Sequence, residues 1–134
     1  MNTFNTKETI SEALLAFNKK AYNAGLDFKM IDFCSDCLWI QASFDFMRYV
    51  NVDIEFRQVH YTNIDKNRYW TDAWHDDQLM LLSQDELENV IDFKDLDINT
   101  DKPYFGIVFN INGFENFYNT GLVICEELYI QWKN

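Results

Sequence analysis

Apolar positions recur at helical spacing in two stretches of the chain and alternate elsewhere. Ile10, Leu14, Phe17 and Ala21 fall on one face at intervals of three and four, which predicts an amphipathic helix over residues 7–24. Thr6 stands at its capping position, and Gly25 where a left-handed residue would end it. Residues 27–33 read as a short strand. From 37 to 46, Leu38, Ile40, Ala42, Phe44 and Phe46 alternate with Trp39, Gln41, Ser43 and Asp45, as a half-buried strand does. Over 49–61, Val50, Val52, Ile54 and Phe56 oppose Asn51, Asp53, Glu55 and Arg57. The apolar signal then moves to Val59 and Tyr61, which predicts a β-bulge near Arg57 and Gln58.

Residues 62–78, rich in Asp, Asn, Trp and Tyr, read as a long loop. Loops of that length are uncommon and often functional. A short strand at 79–82 leads into Ser83-Gln84-Asp85-Glu86, the sequence of a capping box, with Leu82 and Leu87 at the two staple positions. The helix is expected over 84–92, with Leu87, Val90 and Ile91 turned inward. Strands at 104–112 and 122–132 follow, punctuated by the turn signals Asn112-Gly113 and Asn119-Thr120-Gly121. Leu122, Ile124, Leu128, Ile130 and Trp132 form the expected buried set of the last strand. The resulting fold class is α+β: a mainly antiparallel sheet of about 5–6 strands, the N-terminal helix packed on one face, and a short second helix. Pro103 and the glycines at 25, 106, 113 and 121 mark no linker, so residues 1–134 are expected to form a single domain. So few glycines leave no phosphate-cradling or dinucleotide-binding loop.

Composition narrows the function classes. The 134 residues are 48 % hydrophobic and 17 % aromatic, ample for a packed core, which excludes global disorder. The formal net charge of −11 argues against sequence-independent binding to nucleic acid or to an anionic membrane. No apolar stretch approaches the roughly 18 residues of a membrane helix. The opening residues show no basic region followed by an apolar core, so no signal peptide is read and a microbial cytoplasm is the expected compartment.

Reactive side chains are few. Cys34-Ser35-Asp36-Cys37 is a C-x-x-C motif, but it runs into a strand-like segment and lacks the helix N-terminus that activates a redox cysteine. Zinc would need further ligands, and only Cys125, His60 and His75 remain to supply them; a structural turn with two inert thiols is the preferred reading. His75, among Asp72, Asp76 and Asp77, has the composition of a cation site or a general base, yet no regular metal motif surrounds it. His60 reads as a strand residue on the polar face. Glu126 shares the apparent apolar parity of Ile124 and Leu128. A second bulge or a position at the sheet margin explains that, and an acid aimed into a ligand cavity is the alternative. No catalytic residue, metal ligand or cofactor is therefore assigned.

Charge placement carries more. Residues 72–101 hold ten acids and one base, Lys94. Concentrating like charge costs stability, whereas a field of one sign edged by aromatics speeds and selects a basic partner. The length, the charge, the helix-then-strands order and the segment from Val50 to Val59 followed by an aromatic acidic loop resemble the small acidic immunity proteins of bacterial toxin systems. The resemblance is one of class and carries over no individual residue. It implies a non-enzymatic protein that binds a basic toxin and blocks it. The expected contact residues are Trp70, Asp72, Trp74, Asp76 and Asp77 in the loop, with Asp85, Glu88 and Asp92 along the second helix. The alternative is a small-ligand-binding domain whose cavity between helix and sheet is lined by Glu126, Phe105, Phe109 and Trp39.

Overall fold

The structure is a computed structural model and describes residues 2–21, 26–64, 69–71, 79–90, 93–109 and 121–133, with the backbone alone at 69–71. In chain order, strand β1 (Thr3–Phe4) precedes helix α1 (Lys7–Ala21). Strands β2 (Asp27–Cys34), β3 (Cys37–Ser43), β4 (Val52–Thr62), β5 (Tyr69–Thr71) and β6 (Leu79–Leu81) follow. Helix α2 (Gln84–Glu88), a 3-10 turn at Phe93–Asp95, and strands β7 (Phe105–Phe109) and β8 (Leu122–Trp132) complete the fold. The sheet runs β5-β2-β3-β4-β8-β7-β6, and every pairing is antiparallel. Strand β8 pairs with β4 along one edge. Its other edge is shared by β7, opposite residues 122–125, and by β1, opposite Leu128 and Tyr129.

Helix α1 covers one face of this sheet. Thr6 and Thr9 exchange backbone-to-hydroxyl hydrogen bonds of 3.1 Å at its start, so the cap that the sequence indicates forms with a threonine as its second member. Its buried stripe, Ile10, Leu14, Phe17 and Ala21, joins Phe28, Ile40, Ile54, Phe56, Phe109 and Leu128 in one core. Burying a side chain of this kind contributes about 1.5–3 kcal/mol. Phe28 and Phe56 each meet the Phe109 ring edge-on, at centroid separations of 5.4 and 5.9 Å.

A second, smaller core lies on the opposite face. There Leu82, Leu87 and Val90 from α2 and its flanks pack onto Val108, Leu122 and Ile124. Consequently Phe105–Phe109 and Leu122–Cys125 are buried at every position. They are covered on both sides, which explains why these runs are continuously apolar instead of alternating. Gly106 faces α2, and a Cβ there would come within 2.8 Å of Leu87 Cδ1.

The fold class read from the sequence holds, with more strands than the pattern indicates. Strand β1 was absent from the pattern, and β5 falls inside the segment read as a loop. Both are too short, at two and three residues, for a periodicity to show. The second helix stops at Glu88, short of the expected 92, because the Asn89 amide group donates back to the Asp85 carbonyl at 2.9 Å and closes the last turn. Gly25, Ile91 and residues 110–120, with the Asn112-Gly113 turn signal and the first two residues of Asn119-Thr120-Gly121, lie outside the described residues.

The parity change expected near Arg57 and Gln58 is present, but both strands make it together and it is not a bulge; the register shift lies further on, between Val59 and Tyr61. Phe56 pairs with Leu128 and Val59 with Cys125, and all four face the α1 core. Three residues, not two, separate these core positions on each strand, so β4 and β8 change parity together and keep their register. Gln58 sits at φ 54, a left-handed conformation, and this turns the Val59 amide onto the Asp36 carbonyl at 2.8 Å. A second irregularity, between Val59 and Tyr61, returns Tyr61 to the α2 side.

Candidate functional site

The layer over the smaller core is where the acidic segment resides. Ser83 Oγ accepts from the Glu86 amide at 3.1 Å, and Glu86 Oε1 accepts from the Ser83 amide at 2.9 Å, so the capping box is complete. This fixes the rotation of α2. Leu87 and Val90 turn onto the sheet, while Asp85, Glu86 and Glu88 are left exposed. Downstream, Phe93, Leu96 and Ile98 pack against the same core, and Asp95, Asp97 and Asp101 are exposed beside them. Among the described residues none of these six carboxylates makes an ion pair; Lys94 and Lys102, exposed in the same layer, contact none of them.

Two of the expected contact residues, Asp85 and Glu88, therefore occupy this surface. Trp70 lies in β5, opposite Phe28 on β2. Asp72, Trp74, Asp76, Asp77 and Asp92 lie outside the described residues, as does His75. The single helical face drawn through Asp85, Glu88 and Asp92 needs correcting, since α2 ends before its last member. The sequence reading passed over Glu86, Asp95, Asp97 and Asp101 as contacts. For three of them a signal is present in the sequence: Glu86, Asp95 and Asp97 each adjoin a Leu or Ile that packs inward.

Among the described residues no helix covers the rest of that sheet face, over β2, β3, β4 and β8, and three of its carboxylates have cationic partners. Asp53 Oδ1 accepts from Trp39 Nε1 at 2.9 Å and from Gln41 Nε2 at 3.0 Å, while Lys133 Nζ stands 2.9 Å from Oδ2. Burial opposes ionisation of Asp53, but these donors from Gln41, Lys133 and Trp39 outweigh it and hold the carboxyl below its ordinary range. Arg57 bridges Glu55 at 3.4 Å and Glu127 at 3.5 Å, and lies over the Tyr129 ring. Tyr129 in turn donates its hydroxyl to Gln131. Burial and the neighbouring Glu55 push the Cys37 thiol up, and its S–H donates to Glu55 Oε1 at 3.7 Å.

The parity change of β8, and not a second bulge near Cys125, accounts for Glu126. That side chain leaves the sheet on the α2 side, where its Oε2 lies 2.7 Å from His60 Nε2, and the Tyr104 ring stands edge-on to the imidazole. The set expected to line a cavity between helix and sheet is divided. Phe105 and Phe109 belong to the α1 core, whereas Trp39 and Glu126 are on the other face. Cys34 and Cys37 flank a two-residue hairpin turn, and Cys125 is buried in the α1 core, its thiol pushed up to about 12 by burial. Among the described residues no group of three or more His, Cys, Asp or Glu side chains is placed to hold a metal ion. Nor is any helix among them long and apolar enough to cross a membrane. No protein-family model, curated protein sequence or solved structure matches the chain.

Proposed function

We propose that this protein is a non-enzymatic binding module that captures a basic protein partner on the acidic layer formed by α2 and residues 93–101, in the manner of a cytoplasmic toxin inhibitor. The observation that carries the reading is the contrast between two regions. On the open sheet face Asp53 has Lys133 as its cation and Glu55 and Glu127 share Arg57, while Asp85, Glu86, Glu88, Asp95, Asp97 and Asp101 are exposed and without ion pairs among the described residues. Unmatched like charge on one layer raises the rate at which a cationic surface is encountered and disfavours acidic competitors. Trp70, in β5 at the other end of the sheet, is not part of that layer.

The test screens the products of the neighbouring genes for a basic domain that binds this chain, and measures association for the wild type and for the combined variant Asp85→Lys, Glu88→Lys, Asp97→Lys. Association slows by about tenfold or more at low salt, and the difference narrows as salt is raised. The thermal midpoint changes little, because these side chains are exposed. An association rate that is the same for both proteins overturns the reading.

A further inference from the structure

The hairpin between β2 and β3 holds two thiols that the binding surface does not use. Cys34 and Cys37 are direct cross-strand partners closing a two-residue turn, with Ser35 at φ 57. Directly opposed side chains leave a sheet on the same face. Both thiols line one cleft of about 240 Å3 with Asp32, Trp39 and Glu55. Opposed α-carbons stand about 4.5–5.5 Å apart, within the separation of about 4.4–6.8 Å that a disulfide spans. We propose that Cys34 and Cys37 form a reversible dithiol–disulfide couple on the open sheet face, exchanging with small-molecule disulfides such as oxidised glutathione.

The two cysteines have different parts. Cys34 is exposed and receives the oxidant, whereas Cys37 is half-buried with its S–H donated to Glu55. The Cys34 thiolate attacks one sulfur of the small disulfide, forming a mixed disulfide and releasing one small thiolate, which takes up a proton. The Cys37 thiol loses its proton to solvent and attacks the Cys34 sulfur. The protein disulfide forms, and the second small thiol departs. The protein dithiol is thus oxidised by two electrons, and one small disulfide is reduced to two thiols. The chemistry rests on proximity and asks for no helix dipole. Cys125 takes no part, being buried on the opposite face. The groups facing Cys37 set the pH at which closure proceeds: Glu55 and Arg57 on β4, Asp36 in the turn, and Asp32 and Cys34 on β2. Burial and then Glu55 raise the thiol's pKa, and because the thiolate is the attacking form closure quickens as pH rises, by up to about tenfold per unit below that pKa.

The experiment incubates the full chain with defined ratios of reduced to oxidised glutathione and reads intact mass and free-thiol count. Excess oxidised glutathione is expected to give a species with two hydrogens lost, no glutathione retained, and the Cys125 thiol free. Excess reduced glutathione returns the dithiol. Cys37→Ser holds one glutathione on Cys34, and Glu55→Gln moves the pH profile of closure to lower pH without changing the end product. A wild-type protein that retains glutathione on Cys34 while Cys37 stays a thiol, or that does not react, overturns the proposal.

Discussion

The side-chain amide of Asn18 takes the place of a neighbouring strand for Leu79. Asn18 Nδ2 donates to the Leu79 carbonyl at 2.9 Å, and Asn18 Oδ1 accepts from the Leu79 amide at 3.0 Å. Both backbone groups of Leu79 therefore point away from β7, toward the outer edge of the sheet, and the helix closes that edge with a primary amide of matching polarity. Asn18 is a polar residue at 7 % exposure on an otherwise apolar helix face, and this pairing is the physical reason it sits there. An edge strand whose backbone groups are already bound is a poor template for a second chain.

Replacing Asn18 with Leu leaves a buried donor and a buried acceptor without these bonds. We expect a loss of about 2–4 kcal/mol in urea unfolding, at about 1–3 kcal/mol for each orphaned group. Amide exchange at Leu79 accelerates in the same variant by more than at Phe56, which sits far from the edge.

Asp53 gives the open sheet face an acid limit. Its carboxyl is held below the ordinary value of 3.8, so the folded state binds its proton less readily than the unfolded chain does. The stabilisation from Asp53 is thus complete above that value and is lost as pH falls through the lower folded pKa. Asp53→Asn is expected to lower stability at neutral pH by about 1–2 kcal/mol and to flatten its decline below about pH 4. Chemical denaturation across pH 2–7 measures both effects.

Ser35 occupies the left-handed region at φ 57, in a turn whose first position favours glycine. Ser35→Gly is expected to raise the thermal midpoint, with a gain of about 0.5–1 kcal/mol. Alanine at the same position gives no such gain, because the strain stems from its Cβ.

Gly106 and Leu87 are matched in size across the interface of β7 and α2. Gly106→Ala forces Leu87 to move, since a Cβ meets its Cδ1 at 2.8 Å, and costs about 1–3 kcal/mol. In the Leu87→Ala background the same change is nearly neutral, and a double-mutant cycle reads the difference as coupling.

What the sequence by itself determined was local in origin. Thr6 and the Ile10, Leu14, Phe17, Ala21 stripe specify α1, because capping and amphipathic periodicity act within a few turns. Ser83 and Glu86 specify the start of α2 for the same reason. The alternation in β3 and the first half of β4 marks their buried faces, and the shift at Val59 marks the change of parity. The tertiary structure decided everything that depends on partners distant in the chain. The meaning of Glu126 required His60, 66 residues away, and that of Asn18 required Leu79, 61 residues away. Only the pairing of β4 with β8 and the rotation of α2 separate ion-paired carboxylates from unpaired ones among the described residues. Spacing along the chain does not tell them apart, since Asp53 and Glu55 stand two apart as Asp95 and Asp97 do, whereas a Coulomb interaction depends on distance through space.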